Sequence, residues 1–282
     1  IETGSKQNYT EITPDGRYLV NAARFTDTYQ LIGADPSHPD FGTVVAQYNT
    51  YANAGPCDMT IREDGRYAFD PDRHSDAIAV LDLNSFEVVA VVPVEPLVGD
   101  RPDPFMGTIS PDGRFFFVEN TEGDGTESVW DVSDPLNPVE LKRFTQQDGL
   151  GLGSLTDEFT PDGRFNFIIN RSSSDLNVVD LNSLEIVDTI AFPPGSNPVT
   201  GDFSVDGHKF YVTLPGRDAV AVIDVAEQRV IDTVKVGPQP VGVIAQRTTV
   251  PETAGVDRPL GLAYQTGRQF DENCPFACCG KV

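Results

Sequence analysis

Apolar residues in this chain come in short runs of three to seven between polar turns, and no stretch reads as a long helix. The runs recur in one phase. Tyr18-Leu19-Val20, Tyr67-Ala68-Phe69, Phe115-Phe116-Phe117-Val118, Phe165-Asn166-Phe167-Ile168-Ile169 and Phe210-Tyr211-Val212 each follow a turn and predict second strands. Ala79 to Leu83, Ser128 to Val132, Asn177 to Leu181 and Ala221 to Val225 each end in Asp plus an apolar residue and predict third strands. Phe86 to Val92, Val139 to Phe144, Leu184 to Phe192 and Arg229 to Val236 predict fourth strands.

One turn phrase sets the rhythm. It reads Thr13-Pro14-Asp15-Gly16-Arg17, Arg62-Glu63-Asp64-Gly65-Arg66, Ser110-Pro111-Asp112-Gly113-Arg114, Thr160-Pro161-Asp162-Gly163-Arg164 and Ser204-Val205-Asp206-Gly207-His208. Pro presets φ, Asp bonds nearby backbone and Gly takes a positive φ, so the phrase predicts a tight hairpin. Its aspartates stand at 15, 64, 112, 162 and 206, intervals of 49, 48, 50 and 44 residues. Strands and turns at that period predict an all-β propeller of four-stranded antiparallel blades. Blades near 8–54, 55–102, 103–152, 153–197 and 198–238 leave Pro240 to Ala245 as the inner strand of an incomplete sixth, with Leu260 to Tyr264 the next apolar segment. Five blades, or a fragment of seven, remain open alternatives. The expected domains are the repeats, 1–246, and a partial last blade with a cysteine-rich tail, 247–282.

The turn phrase, Tyr211-Val212-Thr213-Leu214 and Val222-Ile223-Asp224-Val225 resemble the YVTN family of β-propellers, relatives of WD-repeat rings, over about residues 8 to 245. Ser128 to Pro135 resembles an LVIVD-type repeat. Both motifs imply a fold and carry no chemistry. YVTN-like rings also resemble the propellers of quinone-dependent amine dehydrogenases, which implies a redox role beside a catalytic partner.

Charge and cysteines narrow the setting. The 43 acidic against 20 basic residues give a net charge of −23, which repels nucleic acid and anionic lipid and favours cationic partners or cations. No run approaches the length of a membrane span: the longest, Val88 to Val94, is strand-sized and broken by Pro93. Cys57, Cys274, Cys278 and Cys279 are an even set that favours two disulfides, with the vicinal Cys278-Cys279 pair suited also to a strained disulfide or a soft metal. Ile1 in place of an initiator Met suggests processing, so the expected location is extracellular, cell-surface or periplasmic.

Candidate chemistry lies on the first strands. Four residues before each turn Asp stand Glu11, Thr60, Thr108, Glu158 and Asp202, with Asp157 beside Glu158. Carboxylates on crowded inner strands need a partner, a proton or a cation, so Glu11, Asp157, Glu158 and Asp202 form a candidate cation site. Glu122 and Asp124, in the loop 121–127, are further candidates, and Ca²⁺ is the ion such oxygen donors suit. The segment Asp70 to Asp76 is read as the equivalent inter-strand loop. No Gly-x-Ser-x-Gly elbow or Cys-x-x-Cys-His motif is present, and His38, His74 and His208 are not at metal-ligand spacing.

The expectation that follows is an exported, non-catalytic interaction or structural module. In its self-assembling version, as a surface or filament protein, the incomplete blade and the tail dock on a protein partner or another copy. The alternatives are a subunit or accessory of a periplasmic redox enzyme, and a hydrolase using channel carboxylates among Glu11, Glu158 and Asp202.

Overall fold

A computed structural model describes residues 7–97, 101–120, 125–245 and 262–263. Glu122, Asp124, Cys274, Cys278 and Cys279 lie outside the described residues, as does the expected tail apart from Leu262 and Ala263. The chain divides into two compact units, one reaching Leu150 and one beginning at Gly151.

The first unit holds three four-stranded antiparallel sheets: β1–β4 (Gln7–Ile12, Tyr18–Ala23, Thr28–Gly33, Val44–Asn49), β5–β8 (Thr60–Ile61, Tyr67–Asp72, Ala77–Asp82, Glu87–Pro93) and β9–β12 (Met106–Ile109, Phe115–Asn120, Thr126–Asp131, Val139–Phe144). The second holds β13–β16 (Ser154–Phe159, Phe165–Asn170, Asp175–Asp180, Glu185–Ala191), β17–β20 (Gly201–Phe203, Lys209–Leu214, Ala219–Asp224, Arg229–Lys235) and the short pair β21–β22 (Ile244–Ala245, Leu262–Ala263). In each four-stranded sheet the strands lie in sequence order, and such meanders are the blades of a β-propeller. The fold class expected from the repeat is therefore the one observed.

The turn phrase folds as its chemistry dictates. Gly16, Gly65, Gly113, Gly163 and Gly207 have φ between 66° and 72°, the left-handed region. In four of the five turns the aspartate accepts a hydroxyl from the residue two before it, as Thr160 Oγ1 does to Asp162 Oδ1 at 2.6 Å. It also accepts the backbone N–H two residues on, as from Arg164 at 3.0 Å. Blade 2 has Arg62 in the hydroxyl position, and its guanidinium donates to Asp64 instead. These bonds hold Asp15, Asp162 and Asp206 below the usual carboxylate range, the hydroxyl bond contributing most.

Second and third strands are covered on both faces, so they read as nearly continuous apolar runs, whereas fourth strands such as β8 alternate between half-buried and exposed positions. In the first unit Phe69, Ile78 and Val80 of blade 2 pack against Phe116, Val118 and Trp130 of blade 3. In the second, Phe167 of blade 4 meets Phe203 and Phe210 of blade 5 with ring centroids 5.2 Å apart. Each fully buried aromatic contributes roughly 1.5–3 kcal/mol. Gly107 and Gly201, five residues before their turn aspartates, leave room for Phe116 and Phe210: a Cβ there would stand 2.7 and 2.2 Å from a ring atom.

Candidate functional site

The inner-strand carboxylates reach across to the next blade. Glu11 is half-buried on β1, and its Oε2 accepts the N–H of Ile61, on β5, at 2.8 Å. Burial pushes its carboxyl up to about 7, against the lowering effect of that bond. Asp202, at the same register position on β17, accepts the N–H of Ala245, on β21, at 2.7 Å, and burial raises it too. Threonine does the neutral version of this work. Thr60 donates to the Gly107 carbonyl at 2.6 Å, Thr156 to Val199 at 2.8 Å and Thr200 to Val241 at 2.9 Å.

Asp157 and Glu158 are neighbours on β13 and point to opposite faces of their strand. Asp157 is buried and accepts the side-chain amide of Asn166, while Glu158 is half-buried. Glu11 belongs to the first unit, and Asp157, Glu158 and Asp202 belong to the second. Cys57 is buried, and its N–H donates to Asp70 Oδ1 at 2.8 Å.

A second acidic centre, in the first unit, differs from the sequence reading. Asp70 and Asp72 are not in a solvated loop: β6 continues through Asp72, where they pair with Ala79 and Ala77, and both are 1 % exposed or less. Their side chains share one face of the strand. Tyr29 donates its hydroxyl to Asp72 Oδ1 at 3.3 Å, and Tyr51 donates to Asp72 Oδ2. The Tyr51 hydroxyl also lies 2.9 Å from Ser75 Oγ. Burial pushes Asp72 up to about 7 against these donors, and burial, with the neighbouring Asp72 charge, also pushes Asp70 well above the usual carboxylate range. Both tyrosines rise as well, chiefly through burial.

The turn after β6 is framed by cations. The Arg73 guanidinium, nearly buried, forks onto Asp103 at 3.2 and 2.8 Å, and Arg101 holds Asp76 at 2.9 Å. Arg24 donates to His74 Nε2 at 3.2 Å; burial and then Arg24 keep that imidazole below its usual range. In blade 3, Glu119 and Glu127 stand opposite each other in the β10–β11 ladder, fully buried, with carboxylate oxygens within 4.8 Å. So close a buried pair requires charge compensation by proton or cation.

A family model described as a YNCE-like beta-propeller matches residues 96–250, more than half of the chain. The chain belongs to the YNCE-like β-propeller family. No curated protein sequence matches it. Among solved structures, this YNCE-like chain is similar to a functionally unknown protein from Desulfotomaculum acetoxidans, with 18 % identity and a TM-score of 0.70 over 86 % of this chain and 73 % of that one. It is similar to the periplasmic gluconolactonase PpgL of Pseudomonas aeruginosa, with 22 % identity and a TM-score of 0.66 over 84 % and 72 %. A putative 6-phosphogluconolactonase from Bacteroides uniformis matches with 17 % identity and a TM-score of 0.67 over 85 % and 73 %. Further matches are the dihydro-heme d1 dehydrogenase NirN and the Kuenenia stuttgartiensis hydrazine synthase, of which this chain spans 50 % and 55 %.

These structures correct the expectation of a non-catalytic module, because propellers of this shape include proteins named as lactonases and redox enzymes. That expectation rested on the lack of a contiguous catalytic motif. Catalytic groups are defined by geometry and role rather than by sequence position, so side chains drawn from separate blades leave no such motif to read. Among the described residues no helix is long and apolar enough to cross a membrane.

Proposed function

We propose that this chain is an exported hydrolase acting on a small sugar-derived lactone or ester, with Glu11 as the acid-base group. The observation that carries this reading is the state of Glu11. It lies on an innermost strand, half-buried, with one carboxylate oxygen fixed by Ile61 N–H and its acidity moved to about 7. A carboxyl poised near neutral pH exchanges a proton in either direction, which is what general acid-base catalysis asks of it. In the propeller fold such strands border the axial channel.

As general base, Glu11 takes the proton of a water that attacks the lactone carbonyl; as general acid, it returns the proton to the ring oxygen as the acyl bond opens. Thr60 and Thr108 share its register on the next two blades and offer neutral hydroxyl positions. Two similar structures, named as a periplasmic gluconolactonase and a putative 6-phosphogluconolactonase, support the substrate class and the exported setting.

The test is turnover of a panel of aldonolactones and acyl esters by the full chain. Wild type is expected to open at least one lactone, and Glu11→Gln, which keeps an acceptor for Ile61 N–H, to lose about 10²–10⁴-fold in kcat/KM. No turnover of any member, or equal turnover by Glu11→Gln, would sink the reading.

A further inference from the structure

The cluster around Asp72 stands apart from Glu11 and has a route to the surface. Asp72 is fully buried, whereas Ser75 and Tyr51 are half-buried. Three oxygens follow in series: Ser75 Oγ, the Tyr51 hydroxyl at 2.9 Å, and Asp72 Oδ2 in direct hydrogen bond. Ser75 Oγ has a second acceptor, the backbone carbonyl of Asp72, at 3.3 Å.

We propose that Ser75, Tyr51 and Asp72 form a proton relay that loads and unloads a buried proton site at the junction of the first two blades. The chain of hydroxyls is satisfied in both directions. With Asp72 ionised, Ser75 donates to Tyr51 and Tyr51 donates to the carboxylate. With Asp72 protonated, its O–H donates to Tyr51, Tyr51 donates to Ser75, and Ser75 turns to the Asp72 carbonyl. Loading takes one proton from water onto Ser75 oxygen while the serine's own proton passes to Tyr51 and the tyrosine's passes to Asp72. One proton enters and one O–H appears on Asp72, while Ser75 and Tyr51 each keep a single O–H and the chain reverses polarity.

The surroundings suit a stored proton. Tyr29, from β3, holds the other oxygen of Asp72 and orients the carboxyl. Asp70 lies on the same strand face; its Oδ1 accepts the Cys57 N–H, and its buried Oδ2 finds no hydrogen-bond partner among the described residues. Asp58 before β5 and Asp27 in the β2–β3 turn add negative charge from the flanking elements. These carboxylates favour retention of a proton between Asp70 and Asp72, the guanidiniums of the adjoining turn being engaged with Asp103, Asp76 and His74, and burial moves the exchange to about pH 7. Tyrosinate formation is disfavoured at both rings, so Tyr29 and Tyr51 stay neutral in the loaded and the unloaded state.

Infrared titration of the full chain tests this, reading the C=O stretch of buried carboxylic acids after pH jumps. Wild type is expected to lose one such band around pH 7, and Asp72→Asn to lack that transition. Tyr51→Phe keeps the ring but removes a donor to the carboxylate, so its midpoint should rise by about one unit, a tenfold tighter proton. Ser75→Ala should leave the midpoint in place and slow the response to the jump about tenfold. If Asp72→Asn keeps the band, or if Tyr51→Phe and Ser75→Ala both match wild type in midpoint and rate, the relay is wrong. Because the tyrosine and serine variants preserve the buried carboxyl, they decide the matter even if Asp72→Asn fails to fold.

Discussion

The N–H of Ile61 donates to a carboxyl oxygen of Glu11 at 2.8 Å, so an acidic side chain of one blade closes the backbone of the next. Ala245 and Asp202 repeat the arrangement at 2.7 Å in the second unit. A buried acid fixed in this way does two things at once. It satisfies a strand N–H that would otherwise be lost to solvent competition, and it is kept near neutrality by its own burial.

Stability should fall as pH rises toward neutrality. Glu11 and Asp72 ionise near 7 in the folded chain, against about 4 when unfolded. Between those values the folded state holds more protons, so this stabilisation is complete below about pH 4 and is lost as pH passes through 7. His74, with its acidity shifted the other way, opposes this below its unfolded value near 6.5. Thermal melts should give a higher Tm at pH 5 than at pH 8, with the difference reduced in Glu11→Gln. Equal melting across that range would contradict the assignment.

Gly201→Ala should destabilise the second unit by about 1–3 kcal/mol, because the new Cβ would stand 2.2 Å from the Phe210 ring in a packed core. Pairing the change with Phe210→Leu should recover part of the loss in denaturant melts. An unchanged midpoint for Gly201→Ala would show that the ring has space to move.

Arg73→Ala should cost on the order of 2 kcal/mol, since it removes the bidentate partner of the nearly buried Asp103 carboxylate and leaves it Arg101 alone, at 3.3 Å. Arg73→Lys should recover only part of this, as an ammonium cannot match two oxygens in one plane. Full recovery by lysine in chemical denaturation would show that the planar fork contributes nothing.

Much of the fold was legible because its signals are local. The Pro-Asp-Gly phrase specifies a positive φ and its own hydrogen bonds within five residues, and the apolar runs mark strands buried on both faces. Glu11 and Asp202 were legible as a recurring register position, but their partners, 50 and 43 residues away, were not. Asp70-Pro71-Asp72 misled because Asp and Pro are poor strand formers. β5 spans two residues and pairs with β6 as far as Phe69, so Pro71 sits where a missing N–H is tolerated. The centre it builds depends on Tyr29 and Tyr51, which pattern alone does not bring to Asp72.

The pH dependence of kcat/KM for the best lactone substrate, in wild type and Glu11→Gln, tests the central claim most directly. Glu11 acting as acid-base predicts a limb with an apparent pKa near 7 that disappears, with most of the activity, in the glutamine variant. A profile flat through neutrality, or a limb that survives in Glu11→Gln, would contradict it.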